Sequence, residues 1–570
     1  MIKLTTPYIA DADMSAPHNY HPTPQFKRES FISLNGQWDF AITQTEEKPN
    51  FKDKIIVPFC PESTASGLGI AVKPGDRMHY RRSFTSPDST DGKKVILHFG
   101  AVDQCCRIYV NGDLVGENRG GYIPFSFDIT AHLKNGENEL YVAATDGLDH
   151  KYPWGKQKYD RGGMWYTPVS GIWQTVWIEV LPQNYIEKIH ITPNINGATI
   201  KIIGGCGHKK ITLTETGEVF ECDSDTVEIS PAEVKRWTPE TPYLYYFTLE
   251  CGDDKVESYF AIRTLDIKNV GVKNRICLNG KPYLFNGMLD QGYYPDGIFM
   301  PATVDGYIDD IKLTKALGFN MLRKHIKIEP MIFYYLCDKY GVAVFQDMVN
   351  NGSYKFLRDT ALPTVSQNLG QRLQDKSFSR DTETRSIFEQ TMYNTADHLY
   401  NTPSVVYYTI FNEGWGQFDS DNMYNKLRSV DNTRIIDSTS GWFRRKKSDV
   451  DSRHIYFRPL KPKHLDTRPL VISEFGGYAH SVKGHVSSEK IYGYRTFDSR
   501  EEFENAVCKL YETEVKELVK TGASAFVYTQ VSDVEDEING FVTYDRMIVK
   551  VDTERLKRIN DNLKSISENL

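Results

Sequence analysis

Two glutamates in the C-terminal half, Glu413 and Glu474, each follow a short apolar run of the kind that forms a buried strand. Glu413 comes two residues after the run 405–411 (VVYYTIF), and Glu474 directly follows 470–473 (LVIS). Because carboxylates are seldom buried without a partner, two of them at strand ends indicate a site. Two facing carboxyl groups suit glycoside hydrolysis, in which one protonates the leaving oxygen while the other attacks or activates water. The sequence does not give the distance between the two carboxyl groups. A separation of about 5–5.5 Å gives retention, and about 6.5–9.5 Å gives inversion.

Polar and aromatic side chains follow the other apolar runs of this half in the same way. Such residues are not needed there for stability, so we expect them to converge on one pocket around the two glutamates. The other predicted pocket residues are Asp290, Arg323, His325, Asp347, Asn412, Trp415, His454, Tyr456, Tyr528 and Gln530. No Cys/His cluster with zinc spacing accompanies them, and we expect neither a metal nor another cofactor.

A repeated alternation of strands and helices from about residue 267 would hold these side chains. Apolar runs indicate eight strands, at 283–288, 320–323, 342–346, 405–411, 434–437, 454–457, 470–473 and 523–528. Amphipathic patterns indicate helices between several of them, at 305–317, 330–340, 382–400, 420–430 and 500–520. This alternation predicts a TIM barrel over 267–570, with the site at the carboxyl ends of its strands. The fourth and seventh strands oppose each other in such a barrel, so Glu413 would face Glu474.

The remainder of the chain adds one long connection and two β-rich regions. Residues 349–380 are predicted to be irregular, and connections of that length are usually functional or mobile. Residues 1–182 contain β-branched and aromatic runs, with a strong hairpin signal at Asn111-Gly112, and predict a β-sandwich. Residues 183–266 carry further alternating runs and predict a smaller, immunoglobulin-like sandwich.

Composition and charge exclude several classes of protein. The chain has 570 residues, which favours two to four domains, and a formal net charge of −7, which argues against nucleic-acid and membrane-surface partners. Its nine cysteines form no CxxC pair, which is typical of free thiols in a reducing compartment. The N-terminus lacks the apolar core of a signal peptide, and no apolar stretch reaches membrane-spanning length. We therefore expect a cytoplasmic protein.

The chain resembles glycoside hydrolase family 2 over nearly its whole length. In the barrel, the resemblance lies in 404–416 (SVVYYTIFNEGWG) and 470–478 (LVISEFGGY). In the N-terminal half, it lies in 33–40 (SLNGQWDF), 57–63 (VPFCPES), 78–84 (MHYRRSF), 100–112 (GAVDQCCRIYVNG), 165–176 (WYTPVSGIWQTV) and 236–245 (RWTPETPYLY). The resemblance implies a jelly-roll sugar-binding domain, an immunoglobulin-like domain and a catalytic TIM barrel. It also implies a retaining mechanism with Glu413 as acid/base and Glu474 as nucleophile.

The resemblance extends to individual site residues. It implies that Asn412 hydrogen-bonds the sugar 2-hydroxyl and that Tyr456 holds the nucleophile, with His454 as a neighbour. Arg323 would brace Glu474 and His325 would line the sugar subsite, although the family spacing Arg-x-x-His is here Arg-Lys-His. The remaining expectations are hydroxyl acceptors at Asp290 and Asp347, a stacking or wall residue at Trp415, and an eighth-strand floor formed by Tyr528 with Gln530.

The sequence leaves the sugar open. The family includes β-galactosidases, β-glucuronidases and β-mannosidases, and a terminal β-D-galactoside is the leading expectation. The Asn-x-Lys motif typical of family β-glucuronidases is missing at 537–542 (EINGFV), yet Arg323 or Lys324 could still meet the carboxylate of a uronide. An α-L-arabinopyranoside, a transglycosylase and a non-catalytic carbohydrate-binding protein are the further alternatives. The partner would be a glycoside or oligosaccharide, and the resemblance also allows a homo-oligomer.

Overall fold

Two β-sandwiches followed by an eight-stranded parallel barrel make up the protein in its computed structural model. The structure describes residues 4–88, 90–271, 273–361, 375, 381–462 and 466–570. This architecture confirms the fold class predicted from the sequence.

The first sandwich packs a six-stranded antiparallel sheet against a four-stranded one around a core that includes Trp38, Leu97 and Val142. In sheet order, the six strands are Asp53–Val57, Gly36–Thr43, Arg77–Thr85, Glu137–Thr145, Cys105–Val110 and Asp113–Arg119. The other four are Ile32–Ser33, Val176–Pro182, Lys93–Phe99 and Phe125–Asp128. A small ladder joins Gly171–Ile172 to Val102–Asp103. Asn111 and Gly112 have φ angles of 54° and 93° and form the predicted hairpin turn.

The second sandwich is smaller and has an alternating burial pattern. Its three-stranded sheet contains Ile186–Pro193, Ala198–Gly204 and Thr226–Ile229, and its four-stranded sheet contains Val219–Cys222, Lys209–Leu213, Tyr245–Cys251 and Asp254–Phe260. Apolar side chains from both sheets, such as Ile200 and Leu249, fill its core. A three-stranded sheet of Leu265–Val270, Lys273–Leu278 and Lys281–Pro282 leads into the barrel.

The barrel consists of eight parallel strands. They are β1 Phe285–Asp290, β2 Met321–Lys324, β3 Ala343–Asp347, β4 Val405–Asn412, β5 Ile435–Ser440, β6 Asp451–Ile455, β7 Leu470–Gly476 and β8 Ala525–Thr529. The hydrogen-bonded order runs β5-β4-β3-β2-β1-β8-β7-β6, and β5 packs beside β6 to bring the ring nearly to closure. A glycine is needed at Gly287 of β1, because a Cβ there would lie 1.8 Å from the Met321 carbonyl oxygen of β2.

Helices surround the barrel and bury apolar faces against the outward-pointing strand residues. They are α1 Asp305–Ala316, α2 Met331–Tyr340, α3 Thr382–His398, α4 Ser420–Val430, α5 Arg500–Leu510 and α6 Thr553–Glu568. Helix α5 continues through a π-helical turn at Tyr511–Val515 into Lys516–Lys520. A short two-stranded sheet, Tyr478–His480 with Arg495–Phe497, follows β7.

The sequence-based boundaries agree with the structure for most of the barrel and fail at β6. This strand was expected at 454–457 and begins at Asp451, because its first half is polar yet buried. Asp451 is fully buried between Arg444 and Arg453, so an apolar run could not reveal this half. Within the predicted irregular connection, Leu357–Ala361 forms a π-helical turn. Residues 362–374 and 376–380 lie outside the described residues.

Two general expectations can be compared with the fold. All nine cysteines are free thiols. In the part of the chain that the structure describes, no helix combines the length and the apolar character that crossing a membrane requires.

Candidate active site

Glu413 and Glu474 meet at the carboxyl ends of opposite barrel strands. Glu474 lies within β7, and Glu413 follows β4 in a left-handed conformation with φ 51°. One carboxylate oxygen of each, together with a ring nitrogen of His454, lies within 4.8 Å of the others. Strand pairing explains this convergence, since the carboxyl ends of parallel strands share one rim of the barrel.

Glu474 is held ionised by cationic and hydrogen-bonding neighbours. Arg323 on β2 donates from Nη1 to Oε1 at 3.0 Å, and the Tyr456 hydroxyl donates to Oε2 at 2.7 Å. Burial alone would raise the pKa of Glu474, but the charges of His454 and Arg323 outweigh it and bring this pKa below its ordinary value. Glu474 is therefore a carboxylate suited to act as a nucleophile.

Glu413 is in the opposite electrostatic situation. The only close polar contact of its carboxyl group among the described residues is Nδ1 of His454, 2.8 Å from Oε1. Burial raises the pKa of Glu413; the hydrogen bond from His454 opposes the rise, and the nearby charge of Glu474 adds to it. The side chain stays 18% exposed. A carboxyl group with a raised pKa and access to the pocket can serve as a general acid.

His454 on β6 links the two carboxyl groups. Its Nδ1 lies 2.8 Å from Glu413 and 3.5 Å from Glu474, while its Nε2 lies 3.4 Å from Nη1 of Arg323. Nδ1 donates to the carboxyl group of Glu413, and Nε2 faces the guanidinium of Arg323. Glu413, His454 and Glu474 are also the one group of described residues whose ligand atoms are close enough to share a metal ion.

We expect the pH profile of activity to be bell-shaped and to depend on His454. The lowered pKa of Glu474 sets the acid limb, because activity is lost when this carboxylate is protonated. The raised pKa of Glu413 sets the basic limb, because activity is lost when this acid ionises. His454 lowers the pKa of both groups, so His454→Phe should move both limbs to higher pH. The test is kcat/KM between pH 4 and 10, and limbs that stay in place would contradict this account.

Arg323 is the centre of the buried polar network. Its Nη2 donates to Asn412 Oδ1 at 2.9 Å and to Ser440 Oγ at 3.2 Å, and its Nε donates to Asp347 Oδ1 at 3.0 Å. Asn412 Oδ1 accepts a further hydrogen bond from Ser440 at 2.8 Å. These two hydrogen bonds fix the side-chain amide with its oxygen toward Arg323 and Ser440. The amide NH₂ of Asn412 has no partner among the described residues, which leaves two donors for a ligand.

The expected hydroxyl acceptors have other partners within the protein. Asp347 is 1% exposed and accepts from Arg323 on both oxygens and from His325 Nδ1 at 2.8 Å. Asp290 accepts from Lys324 Nζ at 2.6 Å and from the Gly292 amide at 2.8 Å. The structure thus places Asp347 behind Arg323 and His325, and Asp290 in a separate ion-pair network.

Trp415 belongs to an aromatic cluster that joins the first sandwich to the barrel. Its ring lies 4.9 Å from Trp154, 5.2 Å from Trp165 and 5.7 Å from Tyr354. Its Nε1 donates to the Gly352 carbonyl at 3.2 Å. Trp415 is 4% exposed, so it is a wall residue rather than a free stacking surface.

Tyr528 lies outside the pocket, which corrects the expectation of an aromatic floor there. On β8, alternate side chains point in opposite directions, and Tyr528 points outward to stack on Phe541 at 4.6 Å. The following residue, Thr529, points inward and lies 2.8 Å from the Tyr456 hydroxyl. Gln530 is buried and accepts from Gln291 at 2.9 Å, while its own amide nitrogen has no partner among the described residues.

Several residues of the site were not predicted. Ser440 and Thr529 end β5 and β8 and could have been found by counting alternation to the strand end. Tyr494 stacks on Tyr456 at 4.0 Å, and Trp154 contacts Trp415 from the first sandwich. These two lie far from the strand ends along the chain, so no local pattern could have identified them.

Comparisons with known proteins agree with this geometry. Residues 70–182 match "Glycosyl hydrolases family 2, sugar binding domain", and residues 270–561 match "Glycosyl hydrolases family 2, TIM barrel domain". A β-galactosidase of Pseudoalteromonas haloplanktis is 26% identical over 530 residues, covering 80% of this chain and 48% of that protein. The chain therefore spans about half the length of this relative.

Solved structures share the fold at lower identity. A β-glucuronidase from an uncultured Clostridium sp. has a TM-score of 0.73 at 20% identity, covering 95% of this chain and 99% of that chain. A β-galacturonidase from Eisenbergiella tayi, bound to galacturonate, has a TM-score of 0.69 at 18% identity, covering 95% and 98%. Because the barrel match alone, 270–561, exceeds half of the 570 residues, the chain belongs to glycosyl hydrolase family 2.

Proposed function

We propose that the protein is a retaining exo-β-glycoside hydrolase with Glu474 as nucleophile and Glu413 as acid/base. The observation that carries this proposal is the short gap between the two carboxyl groups, whose nearest oxygens lie within 4.8 Å. Retaining enzymes have a separation of about 5–5.5 Å, whereas inverting enzymes need about 6.5–9.5 Å to hold a water molecule between the groups. The opposite pKa directions of the two glutamates support the same assignment of roles.

In the first step, Glu474 attacks the anomeric carbon while protonated Glu413 donates its proton to the leaving oxygen. The hydrogen bonds from Arg323 and Tyr456 aim the Glu474 carboxylate and keep it ionised. A covalent glycosyl-enzyme forms, and the neutral leaving group departs. The free amide NH₂ of Asn412 would donate to the sugar 2-hydroxyl, where hydrogen bonding strengthens in the transition state.

In the second step, Glu413 is a carboxylate and acts as a base on the incoming water. Esterification removes the negative charge of Glu474, whose repulsion had raised the pKa of Glu413, so this pKa falls and suits the second role. His454 remains hydrogen-bonded to Glu413 on Nδ1 and keeps its carboxyl group in place through both steps. Water attacks the anomeric carbon from the side that the leaving group vacated, which gives net retention.

A terminal β-D-galactosyl group is our leading proposal for the sugar. Relatives named β-galactosidase support it. Arg323 and Lys324 do not favour a uronide, because both are at most 1% exposed and each is paired with carboxylates. β-Glucuronides, β-galacturonides and α-L-arabinopyranosides remain the competing substrates, since relatives with uronidase names share the fold.

A p-nitrophenyl glycoside panel tests this proposal. It would contain the β-D-galactoside, β-D-glucuronide, β-D-galacturonide, β-D-mannoside, β-D-glucoside and α-L-arabinopyranoside. We expect kcat/KM to be highest for the β-D-galactoside. A higher kcat/KM for a uronide or for the arabinopyranoside would change the proposed sugar but would not contradict the proposed mechanism. Activity on none of them, with sugar binding by calorimetry, would instead identify a non-catalytic carbohydrate-binding protein.

A further inference from the structure

A segment of the first sandwich, residues 154–166, lies against the carboxyl end of the barrel beside Glu413. The Trp154 amide donates to the Asn350 carbonyl at 3.2 Å, and its Nε1 donates to that of Gly352 at 3.1 Å. A Cβ on Gly155 would lie 3.1 Å from the Ile326 carbonyl oxygen, so the segment touches the residue after His325. This covering segment therefore contributes side chains to the rim of the pocket.

Lys156 points from the covering segment toward the barrel. The next residue, Gln157, turns into the sandwich and donates to Asp103 at 3.1 Å and to Tyr122 at 3.2 Å. Gly155 and Lys156 form a turn in which Gly155 has a φ of 63°, and the ammonium of Lys156 lies 5.8 Å from the centroid of the Tyr166 ring. Trp154 and Trp165 of the same segment contact Trp415, two residues beyond Glu413, and the charge of Lys156 opposes the burial-driven rise in the pKa of Glu413.

The ammonium of Lys156 has no carboxylate partner among the described residues, unlike four other cations near the pocket. Arg323, Lys324, Lys327 and Arg161 all have carboxylate partners within 3.0 Å. Across the described part of the chain, no carboxylate lies within 4.0 Å of the half-buried Lys156 side chain. A half-buried cation without a partner beside a binding pocket can pair with an anionic group of a ligand.

The position of Lys156 determines which part of the substrate it would meet. If Glu413 protonates the leaving oxygen, as proposed above, the groups beside Glu413 face the leaving group. Trp415, two residues beyond Glu413, and Trp165 of the covering segment stand 5.2 Å apart on this side. Trp154 and Trp415 are only 3% and 4% exposed, so the half-buried Trp165 is the ring that can meet the apolar face of a sugar or an aryl group.

We propose that Lys156 and Trp165 form a leaving-group subsite that binds a carboxylate or sulfate on the unit released. The inference rests on the proposed glycosidase function. Lys156 pairs with the anion, and the half-buried Trp165 packs against the ring that carries it. The substrate would then be a glycoside with an anionic leaving group. The sugar that is transferred to Glu474 would be recognised by other residues.

Matched leaving groups test this subsite. Umbelliferyl, 3-carboxyumbelliferyl and 3-sulfoumbelliferyl glycosides of the sugar selected by the panel would be assayed with wild type and Lys156→Gln. For each anionic probe, the ratio of its kcat/KM to that of the neutral probe is compared between the two proteins, so the intrinsic reactivity of the leaving group cancels. We expect Lys156→Gln to lower this ratio about tenfold, on the scale of one charge-assisted hydrogen bond.

Two further variants distinguish loss of the subsite from a general effect of substitution on the enzyme. Lys156→Arg keeps the charge and should retain the wild-type ratio within about twofold, a range small against the tenfold expected from losing a charged pair. Lys151→Gln removes an exposed lysine of the same loop that pairs with Glu383, and it should leave the ratio unchanged. A decrease with only one anionic probe identifies whether the ligand is a carboxylate or a sulfate.

The outcomes distinguish the subsite from the catalytic proposal. Cleavage of all three probes with ratios that Lys156→Gln does not change overturns the subsite and leaves the glycosidase intact. Cleavage of no probe by wild type, on any sugar of the panel, overturns the glycosidase and the subsite with it. A uniform decrease for neutral and anionic probes alike also contradicts the subsite, because it would reflect only the effect of Lys156 on Glu413.

Discussion

Replacing Glu474 by alanine should lower kcat by roughly 10⁵-fold, on the scale seen when a nucleophile that acts as a unit with its partners is removed. Without this carboxylate no covalent intermediate can form, and Glu413 alone cannot displace an aryl leaving group. Added azide should restore part of the rate by entering the space that the carboxylate leaves. The product should be the α-glycosyl azide, because a single displacement inverts the anomeric centre.

The matched control for this variant is Glu474→Gln, which keeps the volume and the hydrogen bond from Tyr456. It should be equally inactive but should not respond to azide, because the amide fills the site. Folding of both variants can be checked by thermal unfolding. Removal of Glu474 leaves Arg323 with Asp347 as its remaining carboxylate partner, and one such partner still compensates the buried guanidinium. Wild-type-like activity in Glu474→Ala would refute the nucleophile assignment.

Replacing Glu413 by alanine should produce an effect that depends on the leaving group. General acid catalysis contributes about 10²–10⁴-fold, and a leaving group that needs no proton does not require it. We therefore expect kcat/KM to fall by less than about tenfold for a 2,4-dinitrophenyl glycoside and by about 10³-fold or more for an alkyl glycoside or a disaccharide. The measurement is kcat/KM across leaving groups of graded pKa.

Azide provides the second readout for Glu413→Ala. It should attack the accumulated glycosyl-enzyme and release the β-glycosyl azide, because two displacements restore the original configuration. The opposite azide products of the two variants distinguish acid/base from nucleophile within one protein. An equal decrease for all leaving groups, or an α-azide from Glu413→Ala, would show that Glu413 is not the acid/base.

The barrel and its central pair could be predicted because they depend on local patterns. Fully buried parallel strands produce continuous apolar runs, and a polar residue at the end of such a run marks the carboxyl rim. Glu413, Glu474, Arg323 and Asn412 were found in this way and lie together. The expected boundary of β6 was wrong, because Asp451 is buried through ion pairs that no apolar pattern reveals.

Other features of the site depend on which way a side chain points and on contacts between residues that are far apart in the sequence. Tyr528 was predicted to face the pocket, but its neighbour Thr529 does so instead. A shift of one residue along a strand exchanges the inner and outer faces of a barrel, and the apolar run did not determine which residue faces inward. Asp290 and Asp347 follow strands as expected, but their partners Lys324 and His325 determine what they bind. Lys156 belongs to the first sandwich, and only the tertiary structure brings it to the rim of the barrel.

Some expectations stay predictions. The domain limits at residues 182 and 266, a cytoplasmic location and a homo-oligomer belong to this group. The same holds for the individual roles of the site residues, which the variants above address. The family membership and the fold class are confirmed.

The most direct test of the central claim is to trap the covalent intermediate. A 2,4-dinitrophenyl 2-deoxy-2-fluoro glycoside of the preferred sugar slows both displacements, but its good leaving group lets the glycosyl-enzyme accumulate. We expect time-dependent inactivation, one fluorosugar per chain by intact mass, and a label on Glu474 in the peptide map. A label on another carboxylate, or an α-configured first product by proton NMR without any label, would contradict a retaining mechanism through Glu474.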